Sequence, residues 1–286
     1  IKNKFNVGEN FFLGFSSERI NPGKNEDSIQ KIPKVVSGFS EICLKLIAKF
    51  YGKSFNEIVI TKSIEIAEFS KLLENIYRSV NIGFINEMKV LADKMNIDIF
   101  DVINVSNTKP FGFRRFDPGP GIGGHCIPVD PNYLYWKSVK IGLPAKFIKL
   151  SANTNVLVLN FIIKKILKNL KIENVSLNKS KVLILGISYK KNIDDLRESA
   201  SIRLIDKLLL KGIRNIFIHD PYVEKKIIKK NVKKIFSLSP KVLKSFDIVV
   251  LMTDHDLFDY DMIKKSCKLI IDCRGRYEIK DNIKRG

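Results

Sequence analysis

A long helical pattern without proline, spanning residues 64–95, limits most strongly what this chain can fold into. Leu72, Ile76, Val80 and Gly83 recur at spacings of four and three residues, as the apolar stripe on one face of a helix does. At about 1.5 Å per residue this helix is about 45 Å long, which exceeds the width of a small domain. A helix of this length is typical of a dimer interface or of a connection between two domains. We therefore expect a central helical domain built around it.

Shorter elements precede and follow this helix. The apolar run at 11–15 and the segment at 57–61 predict strands, and the amphipathic segment at 41–51 predicts a helix. This alternation is typical of the closing part of an α/β domain whose opening strands are absent from the sequence. Further helices are expected at 99–104, 131–139 and 145–170.

A polar stretch at 170–181 separates the helical part of the chain from an alternation of strands and helices. Strands are expected at 182–185, 216–219, 247–252 and 269–272, with a helix at 200–210. Short connections between such elements predict a doubly wound parallel sheet. The sequence therefore predicts an α/β protein in three parts, divided at 1–62, 63–172 and 173–286.

The charge balance bears on the kind of partner. Fifty Lys and Arg residues against 30 Asp and Glu residues give a formal net charge of +20, which suits nucleic acid, a membrane surface or anionic small molecules. The basic residues are spread along the chain without the interleaved aromatic residues of single-strand binding surfaces. We therefore expect no nucleic-acid partner. No apolar run reaches the roughly 20 residues that cross a bilayer, so we also expect no membrane partner.

The four cysteines are Cys43, Cys126, Cys267 and Cys273. None forms a CxxC pair, and none has a histidine at the spacing of zinc ligands. We therefore expect no metal site, and a reducing, cytoplasmic compartment.

The most specific segment is PGPGIGGHCIPVDP at 118–131, in which Cys126 follows a dense run of glycine and proline. Glycine lets the backbone approach a ligand closely, and a thiol in such a loop is accessible to chemistry. We therefore predict that Cys126 is catalytic. Residues 119–124 also match the dinucleotide pattern GxGxxG, but the segment before them is not strand-like and the proline after Cys126-Ile is expected to block a helix. The pattern is therefore not interpreted as a dinucleotide site.

Four other polar residues each have two interpretations. Lys71 and Asn75 lie four residues apart on the long helix, so their side chains share a face. They form a pocket that stabilises an oxyanion, or they belong to a solvated helix face. Glu18, in SSERINPG, is presented by a loop at a strand end or belongs to a turn. Asp220 follows a strand, where it meets a ribose hydroxyl or begins a turn.

Taken together, five segments resemble the UDP-glucose/GDP-mannose dehydrogenase family and follow the family order. They are SSERINPG at 16–23, KLLENIYRSVNIGFINE at 71–87, GPGIGGHCIPVDP at 119–131, GISYKKNIDDLRES at 186–199 and IDCRG at 271–275. The stretch TKPFGF at 108–113, with the cysteine loop, is most similar to the bacterial UDP-N-acetylglucosamine 6-dehydrogenase branch.

The resemblance implies that the C6 hydroxyl of a UDP-sugar substrate is oxidised to a carboxylate in two steps, with NAD as the cofactor. It assigns Cys126 as the nucleophile that carries first a thiohemiacetal and then a thioester. The other roles it implies are oxyanion stabilisation by Lys71, water positioning or proton transfer by Asn75 and Asp130, a carboxylate near the thioester in Glu18, substrate binding by Tyr189, Lys190, Arg274, Gly123 and Gly124, and cofactor contact by Arg197.

The resemblance also implies a domain architecture. A helical central dimerisation domain at 63–172 is expected to form a homodimer through the long helix. It is followed by a Rossmann-like doubly wound parallel sheet that binds the UDP-sugar, and preceded at 1–62 by the remnant of an NAD-binding α/β domain. Because that first domain carries the family's GxGxxG motif and is largely missing, we expect a C-terminal fragment with little or no dehydrogenase activity by itself. The alternative is a non-catalytic module for nucleotide-sugar binding or dimerisation.

Overall fold

The computed structural model describes residues 5–20, 26–223 and 231–286 of the chain. Contacts between residues divide the chain into two compact units, an N-terminal unit at 1–77 and a C-terminal unit at 78–286. Helix α2, Ile64–Lys94, begins in the first unit and ends in the second. Its bounds agree with the predicted helix to within one residue.

The N-terminal unit contains a small sheet and one helix packed on it. Strand β1, Gly14–Phe15, pairs antiparallel with β2, Lys34–Gly38, which pairs parallel with β3, Ile58–Ile60. Helix α1, Glu41–Tyr51, begins after Ser40, whose hydroxyl accepts the backbone N–H of Cys43 and caps the first turn. A 3-10 helix, Glu26–Lys31, precedes β2. The expected alternation of strand and helix is therefore present.

The C-terminal unit begins with the second half of α2 and three further helices. These are α3, Ile99–Ser106, α4, Cys126–Lys140, and α5, Lys146–Ile172. Helix α4 begins five residues before the predicted start, and the expectation that proline blocks a helix after Cys126 is wrong. Pro128 lies in the first turn, where a missing N–H breaks no helical hydrogen bond. Pro131 stands inside the helix and interrupts one such bond.

A sheet of six parallel strands forms the rest of this unit, in the order β6-β5-β4-β7-β8-β9. The strands are β4 (Lys181–Leu185), β5 (Asn215–His219), β6 (Val232–Lys234), β7 (Ile248–Leu251), β8 (Ile270–Asp272) and β9 (Ile283–Arg285). Helices α6 (Ala200–Leu210), α7 (Pro240–Lys244) and α8 (Tyr260–Ser266) connect them. The predicted α/β class with a doubly wound parallel sheet is confirmed, whereas the division at 62 and 172 stays a prediction.

The core of the C-terminal unit lies on both faces of this sheet. On one face, buried residues of α5 and α6, among them Ile162, Ile166 and Leu204, pack against Ile184 and Val250 of the central strands. Residues of α7 and α8 cover the other face. Among the described residues, α5 is the one helix long and apolar enough to cross a membrane. Core helices of globular proteins meet the same criterion, and the buried stripe of α5 packs on the sheet.

Candidate active site

The strand order reverses between β4 and β7, and ligands of open α/β sheets bind outside the carboxyl ends of the strands at this point. The chain leaves β4 through Gly186, whose φ is +77°. A Cβ at Gly186 would lie 2.4 Å from the backbone oxygen of Thr253. Glycine therefore lets the loop after β4 pack directly on the segment after β7.

A buried carboxylate and imidazole hold this loop in place. Oδ2 of Asp220 accepts hydrogen bonds from the backbone N–H of Ile187 (2.7 Å) and Ser188 (3.1 Å) and from Nε2 of His255 (3.0 Å). Nδ1 of His255 accepts the backbone N–H of Asn192 (2.9 Å), so a neutral ring carries its proton on Nε2. Burial raises the pKa of Asp220, but the bond from His255 and the backbone N–H groups outweigh burial and leave this pKa below its usual value.

This arrangement decides between the two interpretations of Asp220. The residue is 3% exposed, and its Oδ1 accepts the backbone N–H of Tyr222 at 2.9 Å. Both carboxylate oxygens are therefore engaged inside the protein, and the residue begins a turn. The interpretation that it meets a ribose hydroxyl is wrong.

The loop after β4 carries Tyr189 and Lys190, which lie half-buried at the crevice. The glycine loop before α4 lies directly on the tyrosine. A Cβ at Gly123 would come within 2.6 Å of the Cβ of Tyr189, and a Cβ at Gly124 within 3.0 Å of its ring. Gly124 has a φ of +88° and its N–H donates to the backbone oxygen of Arg197 at 2.9 Å. Two glycines are therefore required where the loop crosses this side chain.

Cys126 is exposed, whereas the other three cysteines are buried. It is the first residue of α4, and Asp130 follows one helical turn later on the same face. Burial raises the pKa of Tyr189 and the negative charge of Asp195 raises it further, against the positive charge of Arg197. Because Gly124 packs on the ring of Tyr189, Cys126 begins α4 two residues after the point where the loop crosses this ring.

Arg197 is exposed and is held by Asp195 at the edge of this group. Its Nε and Nη2 atoms donate to Oδ2 of Asp195 at 2.9 and 2.6 Å. These bonds lower the pKa of Asp195. The same bonds and the negative charge of Asp195 raise the pKa of Arg197. The predicted contact of Arg197 with a cofactor stays a prediction.

Arg274 approaches the cysteine loop from the end of β8. Its backbone N–H donates to Oδ1 of Asp272 at 2.9 Å, and its Nε donates to the backbone oxygen of Met252 at 2.6 Å. A Cβ at Gly119 would lie 3.1 Å from Nη1 of Arg274. The half-buried guanidinium therefore lies against the first glycine of the loop.

In the N-terminal unit, Glu18 is exposed but its carboxylate is held locally. Its Oε1 accepts the backbone N–H groups of Arg19 and Ile20, both at 2.7 Å, and Nζ of Lys34 lies 3.6 Å from its Oε2. Partial burial raises the pKa of Glu18, but these N–H groups and the charge of Lys34 leave it lowered. These contacts therefore orient the carboxylate and favour its ionised form.

Lys71 and Asn75 occupy one turn of α2 in the same unit. Asn75 is buried and Lys71 is half-buried. Nη2 of Arg19 lies 2.7 Å from Oε1 of Glu74 on this turn. Because Arg19 follows Glu18 directly, the ion pair holds the segment with Glu18 against the turn with Lys71 and Asn75.

The predicted site residues therefore form two groups, each within its own unit. The C-terminal unit contains Cys126, Asp130, Gly123, Gly124, Tyr189, Lys190, Arg197 and Arg274, and the N-terminal unit contains Glu18, Lys71 and Asn75. Their catalytic and binding roles stay predictions. Within residues 5–20, 26–223 and 231–286, no three His, Cys, Asp or Glu side chains cluster closely enough to hold a metal ion.

Two residues that hold the site were not predicted, His255 and Lys89. His255 is one of three histidines in the chain and lies four residues after the end of the buried strand β7, which is a signal that sequence reasoning can use. Lys89 stands on the apolar face of α2, four residues after the buried Ile85 and three before the buried Ala92. A lysine at such a position is unusual and marks a buried charge.

Comparison with known proteins links these features to one family. The model of the UDP-glucose/GDP-mannose dehydrogenase central domain matches residues 65–156, and the model of the UDP binding domain of the same family matches residues 183–279. Protein CapL of Staphylococcus aureus is 34% identical over 277 residues, which cover 94% of this chain and 64% of that protein. The UDP-N-acetyl-D-glucosamine 6-dehydrogenase of Salmonella typhi is 31% identical over 251 residues, covering 87% of this chain and 58% of that protein.

Among solved structures, the UDP-D-ManNAc dehydrogenase of Pyrococcus horikoshii has a TM-score of 0.82 at 28% identity, covering 96% of this chain and 64% of that chain. The chain therefore spans less than two thirds of the length of these relatives. The resemblance predicted from the five motifs is confirmed. This chain belongs to the UDP-glucose/GDP-mannose dehydrogenase family.

Proposed function

We propose that this chain carries the nucleophile and the UDP-sugar site of an NAD-dependent nucleotide-sugar 6-dehydrogenase, which oxidises a UDP-N-acetylhexosamine to the corresponding uronate. The observation that carries the proposal is the position of Cys126. It is an exposed thiol at the start of α4, in a glycine loop packed on Tyr189 beside the switch point of the sheet. The relatives act on UDP-N-acetylglucosamine or UDP-N-acetylmannosamine, by their names.

The UDP-sugar is proposed to bind across the carboxyl ends of β4, β7 and β8. Lys190 and Arg274 supply positive charge for the diphosphate, and the ring of Tyr189 supplies an apolar surface. This orientation is supported by the cysteine loop, whose glycines lie against Tyr189 and Arg274. The C6 carbon of the sugar then faces Cys126.

Cys126 is proposed to form one covalent bond to the C6 carbon, which is present in two successive intermediates. Its sulfur adds to the aldehyde to form a thiohemiacetal, and after further oxidation the resulting thioester is hydrolysed to the carboxylate, which releases the thiol. Asp130, one turn along α4, is proposed to position water or move a proton, together with Asn75. Lys71 would stabilise the oxyanion, and Glu18 would act as a carboxylate near the thioester.

NAD is proposed as the hydride acceptor because family members use it, but the residues present do not form an NAD site by themselves. Within the described residues, no strand of the N-terminal unit leads through a GxGxxG turn into a helix. Residues 119–124, which match that pattern, lie between α3 and α4 with no strand before them. The absence of a strand there agrees with the sequence analysis. We therefore derive no step through NAD, and we expect hydride transfer to need the part of the relatives that this chain does not match.

A homodimer is proposed through α2. Three of its apolar side chains, Leu73, Phe84 and Leu91, are each at least half exposed. Exposed apolar surface of this kind marks an interaction site. Phe84→Glu is expected to lower the molar mass measured by analytical ultracentrifugation, whereas substitution of the exposed Lys94 should leave it unchanged. Absence of nucleic-acid and membrane partners and a cytoplasmic location stay part of this proposal.

The proposal is tested by protection of Cys126 from alkylation. We expect UDP-N-acetylglucosamine or UDP-N-acetylmannosamine to slow its reaction with iodoacetamide more than UDP alone does, because only the sugar reaches the thiol. UDP-glucose, assayed in parallel, shows whether protection of Cys126 requires the N-acetyl group of the sugar. Tight binding of UDP-sugars with no change in labelling would remove Cys126 from the site.

Catalysis requires a second measurement, the formation of uronate from UDP-sugar and NAD by the whole protein. Cys126→Ser is expected to abolish the carboxylate product, since serine does not form a thioester. A variant that still forms uronate at the rate of the parent contradicts the assigned mechanism. Binding of UDP-sugars without any oxidation, by a protein that also carries the part of the relatives that this chain does not match, would favour the alternative of a non-catalytic binding module.

A further inference from the structure

The second half of α2 buries polar side chains where an apolar face is expected. Asn86 is fully buried, and Lys89, one turn later, is 1% exposed. Burial lowers the pKa of Lys89 to about 8 and the charge of Arg274 lowers it further, although Asp272 and Asp93 act in the opposite direction. Burying an ammonium group is costly unless it makes specific interactions. These two side chains therefore need an explanation beyond packing.

Both side chains bind the same residue of the cysteine loop. Oδ1 of Asn86 accepts the backbone N–H of Gly119 at 2.9 Å, and Nζ of Lys89 donates to the backbone oxygen of Gly119 at 3.0 Å. The amide group of Asn86 donates in turn to Oδ1 of Asn155 on α5 at 2.9 Å. The polar groups of one buried loop residue are thus held by one turn of the helix.

Gly119 also contacts Arg274, which is predicted to bind the UDP-sugar. A Cβ at Gly119 would lie 3.1 Å from Nη1 of Arg274, so the guanidinium is packed close to this glycine and a side chain there would displace it. Further along the loop, Nη2 of Arg203 donates to the backbone oxygen of Ile122 at 2.6 Å. The loop before Cys126 is therefore held at two positions, first at Gly119 and then at Ile122.

We infer that Lys89 and Asn86 are positioning residues, which fix Gly119 and thereby hold Arg274 and the loop of Cys126 in the geometry that the nucleotide sugar requires. This inference rests on the proposed function. It adds to that function two buried residues that touch neither the substrate nor the reacting atoms. Lys89 acts through its hydrogen bond to the loop, so the donor, and not the length of the side chain alone, is what the site needs.

A cavity beside Lys89 permits a conservative test. It has a volume of about 240 Å³ and is lined by Lys89, Asp93, Lys165, Lys284 and Arg285, among others. Lys89→Arg keeps a cationic donor, and its larger head group has room in this space. Lys89→Met keeps the length of the apolar stem and removes every donor. Since Met also removes a buried charge, we expect this variant to fold.

The experiment compares the wild-type chain with Lys89→Met, Lys89→Arg and the control Lys94→Met. Lys94 is exposed at the end of the same helix. Affinity for UDP is measured by calorimetry, and the accessibility of the loop by the rate of Cys126 alkylation. We expect Lys89→Met to weaken UDP binding about tenfold, which corresponds to about 1.4 kcal/mol, and to change the alkylation rate at least about threefold. Lys89→Arg should lie close to the wild type in both measurements, and Lys94→Met should match it.

Two outcomes overturn the inference. If Met and Arg weaken UDP binding equally, a cationic donor at position 89 does not restore binding, and the site does not depend on the hydrogen bond to Gly119. If Met leaves both UDP affinity and the alkylation rate at wild-type values, the bond to Gly119 does not hold the loop. Failure of the wild-type chain to bind UDP would instead contradict the proposed function. In that case the alkylation rates still decide whether Lys89 positions the loop.

Discussion

Replacement of His255 by phenylalanine tests how the loop after β4 is held. The imidazole ring lies 5.0 Å from the ring of Tyr222 and 5.3 Å from that of Phe258, measured between centroids. Phenylalanine preserves these ring contacts in a site that is fully buried. The substitution therefore removes the two ring nitrogens and little else. Its effect reports on the hydrogen bonds to Asp220 and Asn192, because the 3.2 Å contact of Nε2 with Oγ of Ser188 shares the single Nε2 proton with Asp220.

The expected loss follows from those two bonds. Nε2 donates to the carboxylate of Asp220, a bond to a charged group that contributes about 1.5–3 kcal/mol. Nδ1 accepts the backbone N–H of Asn192, and an N–H left without a partner costs about 1–3 kcal/mol when buried. Because Asn192 is only half-buried, water can reach its N–H and the lower part of that range applies. We expect His255→Phe to lower the free energy of unfolding by about 3 kcal/mol.

Urea denaturation of the C-terminal unit measures this change. Trp136, the single tryptophan of the chain, lies on α4 in this unit, and its fluorescence can be compared with circular dichroism. His219→Phe is the matched control, because Nδ1 of His219 is hydrogen-bonded to the backbone oxygen of Ile235 at 2.8 Å. We expect it to cost about 1 kcal/mol. A loss below 1 kcal/mol for His255→Phe, or equal losses for the two variants, would refute the argument.

The same variant changes the response to acid. The pKa of Asp220 is lowered in the folded protein, so its ionised form stabilises the fold above the unfolded value of about 3.9, and this contribution disappears as the pH falls through the folded pKa. Without the bond from His255, burial still raises the pKa of Asp220 while one opposing interaction is gone. The midpoint of acid unfolding is therefore expected at higher pH in His255→Phe than in the wild type.

Three further predictions concern other parts of the C-terminal unit. Iodoacetamide is expected to modify Cys126 in the native chain before the three buried cysteines, as measured by peptide mass spectrometry; equal rates would contradict its exposure. Gly124→Ala is expected to lower the free energy of unfolding by about 1–3 kcal/mol and to weaken UDP binding, because the φ of Gly124 is +88° and the new methyl group meets Tyr189 at 3.0 Å. Calorimetry that shows unchanged UDP binding would contradict the packing of the loop on this ring. Arg285→Met is expected to lower the free energy of unfolding, measured by urea denaturation, by about 3–5 kcal/mol, since it leaves the fully buried Asp272 without its ion pair at 2.8 Å. A loss near zero would contradict the ion pair.

The elements with strong periodicity could be predicted from the sequence. The helices α1 and α6 have the predicted bounds, because apolar residues recur at helical spacing and serines cap both starts. Two strands at the edges of the parallel sheet, β6 and β9, were missed. Each has three residues, too few for a pattern to emerge. The start of α4 was missed because proline was treated as a helix breaker at a position where the helix needs no N–H.

The motif residues of the candidate site could also be predicted, but what holds them could not. Cys126 and the glycines before it are adjacent in the sequence, and their composition alone indicates an accessible thiol. Lys89 and Gly119 are 30 residues apart, and Asp220 and His255 are 35 residues apart. No local pattern relates such pairs.

The sequence by itself determined the family, the class of fold and the cysteine loop, because these depend on local periodicity and on contiguous motifs. Only the tertiary structure decided the role of Asp220, which turned from a possible ribose ligand into the buried acceptor of His255 and two backbone N–H groups. It also decided that Lys89 is buried on the loop of Cys126. The physical reason is that burial and hydrogen-bond partners depend on which distant segments pack together, and a buried polar group takes its role from the partner that satisfies it.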